Sequence, residues 1–465
     1  MVARLSLVAV ALSGALLACD AGGANPSGDG AGAASGASTT AGTSTNVSST
    51  SVSGTTSGTG GAPQLPTPQL LETDVVCKLI NEQHPSDPTA NLTHTRANVL
   101  GTDLGIPLEH DGNVWIFFGD TVGYKGIWPF GESHPDAVGH VAASALVADP
   151  SAACDELRFL RLSPGDSLGP SLDPAVEADF ASAHMAPPAG HDIGEFIKNP
   201  SGDGSFKNLP GDFEVPSGAL SHGADIYLFY TTVESPTNIT MKASYLAKWS
   251  SPSTSGAPNY QILYGVDQRF DARGPLGGDF INIAVTTDGT YAYLYGTGDY
   301  RASAVHLARK PLADLEAPGG FEVYDAASST WFAAPHANAP IIDVPGFGET
   351  SVQCSATMGR CMFLAEDSFA GNRIVARFAA TPEGPWSESV VVHDMSNPAF
   401  LAAHCCQQEN QCVGDQLFNC GKAGFYGTYL FPHVAGTPSD FTVTYTMSTW
   451  DPYNVALFSA RFTAP

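Results

Sequence analysis

At 465 residues, 43 % hydrophobic and 10 % aromatic, the chain has length for one large β-domain or two or three smaller ones, and its apolar content excludes wholesale disorder. Twenty Lys and Arg against 46 Asp and Glu give a formal net charge of -26, a surface that repels phosphate backbones and argues against nucleic acid as a partner. Only 14 % of residues are charged while Gly numbers 49 and Pro 34, a turn-rich balance that favours an all-β protein over a helical one.

Residues 1–19 form the first predicted element, an export signal with Arg4 as its basic region and an apolar run from Leu5 to Leu17. It ends in Leu16-Leu17-Ala18-Cys19, which resembles a bacterial lipobox. Cleavage before Cys19 and lipidation of its thiol would tether the protein to a membrane without spanning it. Residues 20–66 are nearly all Ala, Gly, Ser, Thr and Asn, a composition that buries no core and serves as a flexible linker. No later apolar stretch reaches the roughly 20 residues of a transmembrane helix.

Residues 67–465 carry a repeated strand, tight turn, strand pattern. Its turns are His110-Asp111-Gly112-Asn113, Ser221 to Asp225, Thr287-Asp288-Gly289-Thr290, Met358-Gly359-Arg360 and Ala435-Gly436-Thr437. A third strand follows each hairpin, at Ser144–Val147, Ser244–Ala247, Val305–Ala308, Ile374–Arg377 and Ala456–Ser459. A fourth follows in four copies, at Leu157–Leu162, Tyr260–Tyr264, Phe321–Tyr324 and Val390–His393. Five such units, each too small to bury its own faces, predict a single five-bladed β-propeller, with Thr73–Leu79 supplying the missing fourth strand of the last blade. A pair of β-sandwiches explains the hairpins but not their shared order. The propeller places the hairpin turns on one face and the long connections on the other, where a binding site is expected.

Eight cysteines remain beside Cys19, an even number that suits disulfides in an oxidising compartment. Cys354 and Cys361 flank one hairpin turn and are expected to pair across it. Cys405, Cys406, Cys412 and Cys420 crowd one loop beside His404, where the absence of paired C-x2-C spacing favours local disulfides over zinc. Cys77 and Cys154 are left as partners of undecided connectivity. No metal or cofactor is expected.

Acids recur at the start of the inner strands. Asp103 and Glu214 precede their turn glycines Gly112 and Gly223 at the same spacing, and Asp279 and Glu349 precede Gly289 and Gly359 one residue further out. Second strands end on the same face at Asp120, Asp299, Glu366, Asp367 and Asp451. Like charges crowded in a partly desolvated mouth have their pKa values driven apart, the condition for acid and base work on one substrate. Any one of these acids also suits turn capping or a structural cation. Tyr124, Trp128, Trp331 and Trp450 lie in loops assigned to this face and are candidate platforms for sugar rings.

Three motifs carry a family resemblance: Gly101-Thr102-Asp103-Leu104-Gly105-Ile106-Pro107, Phe117-Phe118-Gly119-Asp120-Thr121, and Ser448-Thr449-Trp450-Asp451-Pro452-Tyr453-Asn454-Val455. Together they resemble the secreted DUF 4185 domain family, whose members include endo-D-arabinanases of glycoside hydrolase family 183. The resemblance covers roughly residues 70 to 465 and implies a five-bladed propeller that cleaves furanose-containing polysaccharide. It carries catalysis to Asp103 and Asp120, the acids inside the matching motifs. Glu349 and Glu214 stand as alternatives for the second catalytic role, and Asp279, Trp128, Trp331, Trp450 and Asp451 as substrate-binding residues. The wider set of five-bladed furanosidases places Asp, Asp and Glu on the first three blades; here the second offers Glu214 and the third Asp279. The expected protein is a monomer, lipid-anchored outside the cytoplasm, acting as a surface glycoside hydrolase. The alternatives are a non-catalytic glycan-binding or adhesion lipoprotein and a scaffold that binds protein. No H-E-x-x-H occurs in the sequence to mark a zinc protease.

Overall fold

The computed structural model of the chain describes residues 65–80, 93, 99–123, 136–160, 197–198, 209, 213–234, 239–254, 260–270, 274–371, 373–406, 412–422, 424–450 and 452–464. Cys19, the signal, the linker through residue 64, Tyr124, Trp128 and Asp451 lie outside them, while Pro66 at the expected linker's end accepts from Arg360. No helix among the described residues is long and apolar enough to cross a membrane.

Regular structure is almost all strand. After β1 (Gln69–Ile80), a first unit holds β2 (Val99–Gly101), β3 (Leu104–His110), β4 (Asn113–Asp120), β5 (Val122–Gly123), β6 (Asp136–Ala142) and β7 (Arg158–Phe159). A second holds β8 (Ile197–Lys198), β9 (Phe213–His222), β10 (Asp225–Glu234), β11 (Thr240–Ser250) and β12 (Tyr260–Gln268). The third runs through β13 (Asn282–Thr287), β14 (Tyr291–Thr297), β15 (Ser303–Pro311), β16 (Glu322–Asp325) and β17 (Thr330–Ala333). The fourth contains β18 (Ile342–Ser355), β19 (Arg360–Asp367), β20 (Arg373–Ala379) and β21 (Val390–Asp394), and the fifth β22 (Phe425–Thr437), β23 (Asp440–Trp450) and β24 (Tyr453–Thr463).

Within each unit, consecutive strands pair antiparallel, as in β3-β4-β6-β7 and β9-β10-β11-β12. The third and fourth units share one sheet through a pairing of β15 with β18. The expected pairing of the two ends of the chain is present: β1 pairs antiparallel with β24, Thr73 opposite Ala460 and Cys77 opposite Leu457. The ends of the chain therefore complete one sheet together.

Strands such as Val114-Trp115-Ile116-Phe117-Phe118 are buried at every position, because each sheet has neighbours on both faces. The apolar cores lie between consecutive units. One joins the fifth, first and second units around Trp115, Phe118, Tyr230, Trp249 and Tyr429; others lie between the second and third, third and fourth, and fourth and fifth. First strands touch in a cycle, β3 to β9, β9 to β13, β13 to β18, β18 to β22 and β22 back to β3. Between them runs a channel of about 60 Å³, to which all five contribute, with Ile106, Ser217, Ala284, Ser351 and Tyr429 among its lining.

One expected strand is absent. Ser144–Val147 belongs to α1 (Ala143–Ala148), and the third strand of the first unit is instead β6, eight residues earlier. Alanine and leucine have high helix propensity, and the sheet is already satisfied by Val138-Gly139-His140-Val141 pairing with β4. The fourth strand expected over Leu157–Leu162 shortens to β7, two residues long.

All eight described cysteines are paired. Cys354–Cys361 bridges the β18–β19 hairpin, Cys405–Cys420 and Cys406–Cys412 close the loop after α2 (Pro398–His404) locally, and Cys77–Cys154 ties β1 to the first unit. The first three match the expected local pairings, and no metal-holding cluster occurs among the described residues.

Candidate active site

The chain bends sharply where it enters β3. Leu104 has φ +61° and Gly105 φ +89°, and the β3–β4 register shifts between Leu104 and Ile106, so Asp103 is turned inward at the mouth of the channel. The carbonyls released by the bend are satisfied from the fifth unit, where Ser448 and Thr446 hydroxyls donate to Leu104 and Gly105 at 3.2 and 2.9 Å. Gly119 of β4 packs so closely that a Cβ there would collide with Asp103 Oδ1. Its amide donates to the Asp103 carbonyl at 3.1 Å.

Two threonines fasten the strand ends. Thr102 donates to the Gly119 carbonyl at 2.8 Å and meets the Thr121 hydroxyl at 2.9 Å, while Thr121 accepts from the Ala137 amide at 3.1 Å. Asp103, Asp120 and Asp136 are thereby held on neighbouring strands at one level, Asp120 directly opposite Asp136. The three family-like motifs, the last of them more than 300 residues beyond the first two, converge on Asp103.

Asp103 is 8 % exposed. Burial, then the charge of Asp120, raise its pKa well above the usual carboxylate value, against the pull of hydroxyls donated by Tyr453 and by Tyr426, the latter at 2.8 Å. Burial and the Asp103 carboxylate in turn raise both phenols, which keeps them protonated donors. Asp136 is likewise raised, by burial first and then by Asp120, Glu214 and Asp103. Across the mouth, Arg301 from the β14–β15 loop approaches Glu349 at 3.6 Å and Glu366 at 3.4 Å, and its guanidinium lies over the rings of Tyr300 and Tyr426. Burial raises Glu366, and Arg301 opposes that. The site thus sets carboxyl groups with raised pKa values, Asp103 and Asp136, across from acids that face the Arg301 cation, an arrangement suited to acid and base chemistry.

Of the residues singled out in the sequence, Asp103, Asp120, Glu214 and Glu349 come together here, with Asp103 and Glu214 reached through their mutual neighbour Asp136. Asp279 instead faces His306, countering the fall that burial imposes on that imidazole. Trp331 is not at the mouth. It lies on β17, the outermost strand of its unit, packed on Tyr324 with the Arg309 guanidinium 4.1 Å from its ring. A four-residue strand in what looked like a loop explains the misplacement. Trp450 ends β23 near Tyr453 but packs into the first core.

Asp136, Tyr426, Tyr453 and Arg301 went unremarked as site residues. Asp136 heads β6, so misplacing the third strand by eight residues hid it. Tyr426 stands in the fifth unit three residues before channel-lining Tyr429, as Asp103 stands before Ile106 and Glu214 before Ser217 in the first two.

Comparison with curated proteins returns no match. Solved structures similar to this chain include a Bacteroides ovatus protein described as a hydrolase, 15 % identical with 80 % of this chain and 88 % of that one covered at a TM-score of 0.48. The catalytic domain of a Coprinopsis cinerea GH62 α-L-arabinofuranosidase is 11 % identical, with coverage of 86 % and 98 % and a TM-score of 0.43. A Podospora anserina α-L-arabinofuranosidase solved with cellotriose is 11 % identical, with coverage of 86 % and 99 % and a TM-score of 0.41. The model of DUF4185, described as a domain of unknown function, matches residues 89–459. That span takes in all five units and the three motifs around Asp103, and the chain belongs to the DUF4185 family.

Proposed function

We propose that this protein is a glycoside hydrolase on a five-bladed β-propeller, cleaving furanose-containing polysaccharide at its acidic mouth, with endo-D-arabinan as the first substrate to try. The cycle of five first strands around one channel supports the propeller. The observation that carries the chemistry is the pair Asp103 and Asp120, from the two ends of one hairpin, with Asp103 holding its proton against the charge of its neighbour.

In the reaction, Asp103 passes its proton to the glycosidic oxygen as the bond from that oxygen to the anomeric carbon breaks. Asp120 either removes a proton from the water whose oxygen bonds to that carbon, or bonds to the carbon itself until water displaces it. Tyr426 and Tyr453 orient Asp103. Glu349, steadied by Arg301, and Glu214, beside Asp136, flank the pair and contact sugar hydroxyls.

The test is product analysis after incubating the protein with arabinans, arabinogalactans and other furanosides. Asp103→Asn and Asp120→Asn each lower turnover by about 10²- to 10⁴-fold while the fold is kept. Near-normal turnover in both variants would reject the assignment, and binding without cleavage by the parent would make the protein a glycan-binding one.

The same proposal makes residues 1–19 a signal ending in a lipidated Cys19, 20–66 a linker and 67–465 the catalytic domain of an extracytoplasmic monomer. Cys19→Ser is expected to shift the protein from the membrane fraction to the soluble one; unchanged partitioning counts against the anchor.

A further inference from the structure

One aromatic ring at the mouth is used by no core. Phe369 is 67 % exposed and sits in the short helical turn Ser368–Ala370, directly after the mouth acids Glu366 and Asp367. An isolated exposed apolar residue calls for no explanation, but this ring is held in place. It lies against Gly346 of β18, a residue at φ +118° where a Cβ would collide with the phenyl edge. Two residues further on, Gly348 leaves room for Arg301 in the same way: a Cβ there would come 2.7 Å from Arg301 Cγ.

Gly346-Phe347-Gly348-Glu349 therefore aligns three things along one strand. The exposed ring stands at the rim, Arg301 in the middle and Glu349 at the acids. Phe369 packs at Gly346 and the acids begin at Glu349, three residues further along β18, so a sugar seated on the ring is not the one being cleaved. The partner's chemistry follows from the surroundings. A saturated sugar presents a face of C–H groups to an aromatic face, and a mouth lined by Asp103, Asp136, Glu349 and Glu366 disfavours an anionic polymer.

We propose that Phe369 is a stacking platform for a sugar residue remote from the cleavage point, so that the mouth grips a stretch of neutral polysaccharide and not a terminal sugar alone. This rests on the hydrolase assignment for the mouth itself. The test uses the full chain carrying Asp103→Asn, with soluble arabinan as the probe in affinity electrophoresis. Adding Phe369→Ala weakens retention about tenfold, on the scale of one lost aromatic contact, and Phe369→Trp restores it. In the active protein, Phe369→Ala flattens the rise of kcat/KM from short to long arabino-oligosaccharides. Equal retention with and without the ring overturns the platform, as does a parent that does not bind arabinan. A parent that binds through Phe369 but releases no reducing ends keeps the platform and fails the hydrolase assignment. A parent that cleaves, and whose preference for long over short chains is unchanged by Phe369→Ala, does the reverse.

Discussion

Tyr426 and Tyr453 decide how tightly Asp103 keeps its proton. Burial and Asp120 push its pKa up, and the two hydroxyls pull it down by stabilising the carboxylate. Tyr426→Phe removes one of these donors and leaves the ring, so Asp103 rises further. A hydrogen bond to a charged group contributes about 1.5–3 kcal/mol, equivalent to a shift of about one to two pH units. Under the proposed mechanism Asp103 acts in its protonated form, so the alkaline limb of kcat/KM is expected to move upward by that amount. A pH–rate profile checks the sign: a limb that moves downward or stays in place would show that Asp103 is not the proton donor. The same shift has a stability consequence. A carboxyl whose folded pKa lies above its unfolded value of about 3.9 favours the folded state below that value, and the contribution is lost as pH rises through the folded pKa. Asp103, Asp136 and Glu366 all act in this sense, so the acid cluster is held together against its own electrostatics at neutral pH.

At the scale of elements, β3 and β4 are shaped around Asp103. Gly119→Ala puts a methyl group into Asp103 Oδ1 and 2.9 Å from Leu104 Cδ1. The expected result is a stability loss of about 1–3 kcal/mol and a fall in kcat of about 10²-fold from misplacement of the acid, read by thermal melting and steady-state kinetics. Unchanged kinetics would mean that this close approach is incidental to the chemistry. The hairpins were legible in the sequence because their signal is local: turn residues such as Asp111-Gly112 and Asp288-Gly289 sit between runs of strand-forming residues. Asp103 and Asp120 were legible for the same reason, each at a fixed distance from its turn. Asp136 was not, since the alanine-rich stretch after it imitated the strand that it begins. Tyr426 and Arg301 reach the site from the fifth and third units, and nothing near them in sequence marks a contact that exists only after the ring of sheets has formed.

For the whole molecule, closure depends on β1. Its Leu79 and Ile80 are fully buried, it covers the edge of β24, and Cys77–Cys154 fastens it to the first unit across 77 residues. Replacing both cysteines by Ser is expected to cost about 2–4 kcal/mol, seen as a lower denaturation midpoint under non-reducing conditions; an unaltered midpoint would show that strand pairing alone secures the closure. The first described residues also show where this strand comes from. Arg360, at the β18–β19 turn, donates to the Pro66 carbonyl at 2.7 Å, and the Ala464 amide donates to the Ser439 carbonyl in the β22–β23 turn at 2.9 Å. Both contacts are at the pole opposite Asp103. The first and last described residues thus meet at the base of the domain, and neither crosses the acids.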